Sequence, residues 1–281
     1  CDINNDDQMD LIVSSKQAED LNQSPLVTDS GAIEVFLGSG DGFAPLADQR
    51  VFGKLPNESG AFELVKFFYL GNSGMAAGDM NGDGMCDVAV ASYTYKGVNG
   101  SGNAGVTLVY AGKMDNEAGE PRLSSEPYMV IRPDPNLDTV GGAQTGRFLA
   151  MGDLNGDNKD ELIVSQMKYT LAGNGSDKEH GAVWVIDGNK LGNAPDTTTY
   201  SPQGLMSWSH VGEEKSDWAG FHVGVSDVDG DELGDLIIGT AKGDFLGKND
   251  RGTVSIFKGV KMGWPQSEPT IVFGGANGND R

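Results

Sequence analysis

The run Asp227-Val228-Asp229-Gly230-Asp231-Glu232-Leu233-Gly234-Asp235 leads directly into Leu236-Ile237-Ile238-Gly239. Carboxylates stand at positions 1, 3, 5 and 9 of this nine-residue run. Like charges so close repel, and a hard divalent cation with oxygen ligands relieves the crowding. The same spacing recurs as Asp79, Asn81, Asp83 and Asp87, as Asp153, Asn155, Asp157 and Glu161, and as Asp2, Asn4, Asp6 and Asp10. The first positions lie 77, 74 and 74 residues apart, the regularity of a repeat architecture. The chain reads as one unit written four times.

Positions 1, 3, 5 and 9 offer side-chain oxygens. Position 7, held by Gln8, Met85, Lys159 and Leu233, varies freely, as expected of a ligand that uses its backbone carbonyl. Position 4 is Asn5, Gly82, Gly156 or Gly230, residues that tolerate a positive φ, so a sharp turn belongs there. An EF-hand loop needs a glutamate at position 12, where this chain has Val13, Val90, Val164 and Ile238. The loops are therefore a different calcium motif, with up to four Ca²⁺, one per loop. Magnesium fits less well, since it favours a small octahedral shell with retained water.

A short apolar strand follows each loop: Leu11 to Ser15, Val88 to Ser92, Leu162 to Ser165, and Leu236 to Thr240. Apolar on both faces, these read as interior strands. Small-residue strands precede three loops, at Gly74 to Gly78, Gly146 to Gly152 and Gly220 to Ser226, so each metal loop is the turn of a β-hairpin. Alternating strands opening on glycine follow at Gly31 to Gly38, Gly105 to Tyr110, Gly181 to Gly188 and Gly252 to Gly259. Weaker fourth strands are expected at Glu63 to Phe68, Tyr128 to Arg132, Leu205 to His210 and Thr270 to Phe273. The fold class is all-β, and four strands per unit make a β-propeller blade. The units run over 1–70, 71–143, 144–216 and 217–273, with 274–281 opening another.

The chain of 281 residues carries 42 glycines, 11 prolines and a net charge of −21. Such acidity excludes nucleic acid as a partner, because phosphate binding needs a basic face. Thirteen of the carboxylates are loop ligands, and four Ca²⁺ would bring −21 to −13. No apolar run approaches the roughly 20 residues of a transmembrane helix. Cys1 and Cys86 lack zinc, redox or haem spacing; they read either as a bridge between units or as two free thiols. Cys1 also suits a lipoprotein cysteine, but Asp2 already begins a loop, which favours a fragment of a longer protein.

Gly78-Asp79-Met80-Asn81-Gly82-Asp83-Gly84-Met85-Cys86-Asp87, Gly152 to Asp157 and Phe273-Gly274 resemble the FG-GAP repeats of integrin α-subunit β-propellers and their bacterial relatives. The Phe-Gly element becomes Gly146-Arg147-Phe148 and Gly220-Phe221 elsewhere, and the Gly-Ala-Pro element has decayed, which favours a bacterial or other extracellular relative. The resemblance implies a propeller, usually of seven blades, of which about four are present.

Composition and resemblance together lead to a calcium-stabilised, secreted or cell-surface module for binding and adhesion, a periplasmic location being the variant. Its partner is a protein or glycan ligand held by variable loops such as Tyr95 to Asn103, Lys113 to Pro127, Lys168 to His180 and Asn189 to Gln203. Alternatives are the scaffold of a polysaccharide-active lyase or hydrolase and a structural part of a surface assembly. Against an enzyme, His180, His210 and His222 lie in unrelated contexts, and His222 is expected to be buried. Trp208, Trp218 and Trp264 suit packing or an interface, and Asn22, Asn57, Asn99 and Asn174 are glycosylation sequons.

Overall fold

The run Val88-Ala89-Val90-Ala91 has both faces apolar, and none of the four residues has exposed surface in the folded chain. A strand of this kind needs neighbours on both edges and layers on both faces. It has them in the computed structural model, which describes residues 1–22, 26–57, 59–66, 68–96, 102–114, 121–133, 142–170, 179–191 and 199–276.

Four antiparallel sheets follow one another along the chain. The third pairs Thr145–Gly152, Glu161–Gln166, Ala182–Ile186 and Trp208–Val211 in that order, and the fourth pairs Ala219–Ser226, Asp235–Thr240, Thr253–Phe257 and Ile271–Gly274 likewise. The second has the same order, Met75–Gly78, Asp87–Ser92, Val106–Tyr110 and Met129–Ile131, with Thr199–Tyr200 added in parallel at its outer edge. The first has three strands, Leu11–Ser15, Ala32–Phe36 and Gln49–Phe52. Each acidic loop of the second, third and fourth sheets is the turn of a hairpin, as the spacing requires.

Three expectations need correction. The strand expected at Glu63 to Phe68 does not join the first sheet: Gln49–Phe52 takes that place, and Phe62–Leu64 pairs with Lys54–Pro56 in a separate hairpin. Leu205 belongs to a short helical turn, Pro202–Leu205, whose Ser201 hydroxyl caps the Gly204 N–H, so the following strand starts at Trp208. Leu11–Ser15 is not interior. It forms the edge of its sheet, with Leu11 and Val13 exposed, whereas its three counterparts are flanked on both sides.

Successive sheets share cores. Ile33, Leu70, Val90 and Leu108 join the first to the second; Ala91, Ile131, Leu149 and Val164 join the second to the third; Ile163, Val183, Leu236 and Phe257 join the third to the fourth. Each fully buried branched side chain contributes about 1.5–3 kcal/mol. A backbone joint recurs as well. Gly105 and Gly181 each form a parallel bridge to the first residue of the next sheet, Thr145 and Ala219, and Gly31 bridges in the same way to Leu70, ahead of the second sheet. A Cβ on Gly105 would lie 2.4 Å from the Thr145 nitrogen, so only glycine permits the approach. The fourth sheet leaves Phe221, Val254 and Phe273 exposed around a cavity of 650 Å³ that Trp218 and Lys242 also line. No helix among the described residues is long and apolar enough to cross a membrane.

Candidate metal centre

Each acidic loop is wound around its first carboxylate. Asp79 accepts from the N–H groups of Gly82 at 2.7 Å, Asp83 at 3.1 Å and Gly84 at 2.8 Å. Asp227 does the same for Gly230, Asp231 and Glu232, and Asp153 for Asn155, Gly156 and Asn158. Asp2 takes the N–H groups of Asn4, Asp6 and Asp7. The position 5 carboxylates of Asp6, Asp83, Asp157 and Asp231 accept from the N–H of Gln8, Met85, Lys159 and Leu233. A positive φ occurs at position 4, as expected, and again at position 6, in Asp7, Gly84, Asn158 and Glu232.

Position 9 is the buried end of every loop: Asp10, Asp87, Glu161 and Asp235 are at most 7% exposed. Asp10, Glu161 and Asp235 accept the N–H of their own loop's second residue, from Ile3, Leu154 and Val228. Asp10, Asp87 and Asp235 also take the N–H of Gly38, Gly112 and Gly259, each just beyond the strand that pairs with the one following its loop. Burial pushes Asp87 up from 3.8 to about 7; Asp83 and Asp79 push the same way, and the Gly112 N–H and Tyr128 hydroxyl oppose it. Glu161 rises from 4.5 to about 8 for the same first reason, with Asp157, Asp153 and Asp187 adding to it.

The loops also hold one another. The carbonyl of the first ligand in one loop accepts the position 8 N–H of the next: Cys86 to Asp2 at 3.3 Å, Asp160 to Asp79 at 2.8 Å, Gly234 to Asp153 at 2.8 Å. Cys86 is in addition disulfide-bonded to Cys1, with the Cα atoms 6.2 Å apart, so the free-thiol reading falls.

Whether these residues suit a cation is tested by what they leave unmet. Asn155 is 5% exposed, and its side-chain oxygen has no hydrogen-bond partner, although its amide donates to Glu161 at 2.8 Å. It lines a 190 Å³ cavity with Asp157, Asp187 and Trp264. A buried, unpartnered oxygen among carboxylates is what a hard cation satisfies. In the fourth loop Asp227, Asp229 and Asp235 bring ligand oxygens within 4.8 Å of one another. Asp231 is not part of that set, and Asp229, which is, also meets the Lys258 ammonium. The donors fit Ca²⁺ in type, and the ion would supply the positive charge the buried position 9 acids lack.

Sequence reasoning missed Asp187, Lys258, position 6 and the docking role of position 8; the alignment of the four third strands was the signal for the first two. His222 is exposed rather than buried, because a bulge after Ala219, at Gly220 with φ +78°, shifts it in register. His180 bonds through Nδ1 to the Gly212 carbonyl, and His210 lies against Trp208 and Phe257. Trp208 and Trp264 pack into the core between the third and fourth sheets, while Trp218 carries Lys242 over its ring at 4.7 Å. Much of the four variable loops, with Asn99 and Asn174, lies outside the described residues.

No protein-family profile matches the chain. Integrin alpha-PS2 of Drosophila melanogaster is 28% identical over 144 residues, which is 49% of this chain and 10% of that protein. The chain thus spans about a tenth of the relative's length. Among solved structures, the rhamnogalacturonan lyase YesW gives a TM-score of 0.43 at 12% identity, over 96% of this chain and 49% of the other. A Bacillus licheniformis rhamnogalacturonan lyase gives 0.42 at 14%, over 96% and 48%.

Proposed function

We propose that the chain is part of an FG-GAP-type β-propeller, stapled by Ca²⁺ at its loops, that works outside the cell as a binding module for a protein or glycan. The observation that carries this is the fourfold loop, each with a wound ring of N–H groups and a buried position 9 carboxylate, and the three bonds that join successive loops at a spacing of 74 to 77 residues. In this reading the four sheets are blades, joined in chain order by their shared cores and glycine bridges. Asp, Asn and Glu side chains at positions 1, 3, 5 and 9 hold the ion, with the position 7 carbonyls of Gln8, Met85, Lys159 and Leu233 completing the shell. The similarity to an integrin α chain supports an adhesion-like role, and the disulfide supports an oxidising compartment.

The ion's part here is structural. It neutralises the inward carboxylates, and the loop then fixes the hairpin that carries the interior strand. Thermal unfolding in EDTA and in millimolar Ca²⁺ tests this, since a ligand bound only to the folded state raises stability by RT ln(1 + [L]/Kd). Melting should fall by several degrees or more on chelation, and coincident curves would sink the reading. Incubation with acidic polysaccharides separates module from enzyme: retention without new unsaturated ends marks a binding module, and their appearance marks a lyase.

A further inference from the structure

The joints between successive loops are alike in the main chain and differ in the side chain at position 8 of the later loop. The residues there are Cys86, Asp160 and Gly234, and the N–H of each donates to the carbonyl of the first ligand in the loop before, Asp2, Asp79 or Asp153. Asp160 adds its carboxylate, which accepts the Asp79 N–H at 2.8 Å. Gly234 has no side chain to add. Cys86 adds a covalent bond, to Cys1.

That bond falls between two wound loops. Cys1 immediately precedes Asp2, whose carboxylate gathers the N–H groups of Asn4, Asp6 and Asp7. The Asp10 N–H donates to the Cys1 carbonyl at 2.8 Å, so the residue before the first ligand is tied to the one that closes the loop. Cys86 stands between Met85 at position 7 and Asp87 at position 9 of the second loop, and Asp87 is held by the Gly112 N–H and the Tyr128 hydroxyl. The hydrogen bond on the same contact, from Cys86 to Asp2, is 3.3 Å long, against 2.8 Å at the other two joints. Here the covalent bond, more than the hydrogen bond, fixes how the two loops stand to each other.

We propose that the Cys1–Cys86 disulfide positions the first two cation sites: it holds position 1 of one loop beside positions 7 and 9 of the next, so that both loops bind a divalent cation more tightly when it is formed, while the third and fourth loops are indifferent to it. The inference rests on the calcium reading above. Carboxylates that converge on an ion repel one another until it arrives, and a loop already held in the bound shape loses less conformational freedom on binding. By linkage the effect is reciprocal, and ions in the first two loops make the disulfide harder to reduce.

The test follows the amide resonance of position 4 in each loop, at Asn5, Gly82, Gly156 and Gly230, as Ca²⁺ is added to the calcium-stripped 281-residue chain. In the double variant Cys1→Ser, Cys86→Ser the midpoints at Asn5 and Gly82 should rise at least fivefold, while those at Gly156 and Gly230 stay within twofold of the parent. A second measurement keeps both cysteines and needs no folded serine variant. Reduced dithiothreitol passes two electrons and two protons to the disulfide, which becomes two thiols, and leaves as its own cyclic disulfide. The ratio of reduced to oxidised dithiothreitol at half-reduction should be at least tenfold higher in millimolar Ca²⁺ than in EDTA. Asp6→Asn with Asp83→Asn should abolish that rise, and Asp157→Asn with Asp231→Asn should preserve it. Midpoints that move equally in all four loops or in none, or a ratio that ignores Ca²⁺ or responds equally to both pairs of substitutions, overturn the inference while calcium binding stands. If no resonance moves in millimolar Ca²⁺, the calcium reading and this inference fall together.

Discussion

Asp160 and Asp79 hold each other twice: the Asp160 N–H donates to the Asp79 carbonyl, and the Asp79 N–H donates to the Asp160 carboxylate, both at 2.8 Å. Asp160 is not a ligand by the loop spacing; it fastens the third loop to the second. Hydrogen bonds to a charged group contribute about 1.5–3 kcal/mol. Asp160→Ala should destabilise the fold by about that amount and speed hydrogen exchange at the Asp79 amide at least tenfold. An unchanged exchange rate would show that the pair carries no load.

The buried acids give the metal-free chain an unusual pH response. Asp87 and Glu161 have folded-state values of about 7 and about 8, raised by burial above their ordinary 3.8 and 4.5. Between about pH 4 and pH 8 the folded state therefore binds more protons than the unfolded state, so stability falls as pH rises through that window. In EDTA the melting temperature should be lower at about pH 8 than at about pH 5, and saturating Ca²⁺ should remove this decline. Asp87→Asn with Glu161→Gln should flatten the EDTA profile; a profile that rises with pH in the parent chain would contradict the assignment.

Cys1 and Cys86 close a loop with a sequence separation of 85 residues. On the chain-entropy view such a closure contributes about 4.6 kcal/mol. Reductant should lower the melting temperature of the parent by several degrees. Cys86→Ser should start at the lower value and show no further response.

Two glycines with positive φ should behave differently. Gly181 has φ +77°, and a Cβ there would lie 2.3 Å from the Ala219 carbonyl oxygen, whereas Gly84 at φ +85° has nothing within 4 Å. Glu232 occupies the equivalent of Gly84 with φ 71°, so a side chain is accommodated at that position. Gly84→Ala should cost about 1 kcal/mol, the conformational penalty alone. Gly181→Ala should cost at least about 3 kcal/mol through displacement of the next sheet, or prevent folding. Equal losses in urea denaturation would remove the special role of the joint.

The hairpins, the turn at position 4 and the interior strands of the second to fourth sheets were legible because each is a local consequence of a few residues repeated at constant spacing. Position 6 was hidden by Glu232, which adopts a positive φ without being a residue type that advertises it. Gln49–Phe52 and Thr199–Tyr200 were hidden because their partners are chosen by tertiary packing, and the latter pairs with a strand nearly seventy residues earlier. Acidic spacing suggested the loop ligands, but it could not reveal that Lys258 sits on Asp229 or that Asp187 enters the cavity beside Asp157, since both arrive from another strand.

The bridges from Gly105 and Gly181 to the following sheets, and from Gly31 to Leu70 ahead of the second sheet, are made from main chain to main chain. Because peptide groups are the same in every unit, such a joint does not require neighbouring side chains to change together. A gene segment encoding one unit could be copied beside itself and the new protein segment would arrive already able to fasten to the old. The cores could then drift apart in sequence while the number of units grew or shrank, and the fourfold period is the pattern that this history would leave.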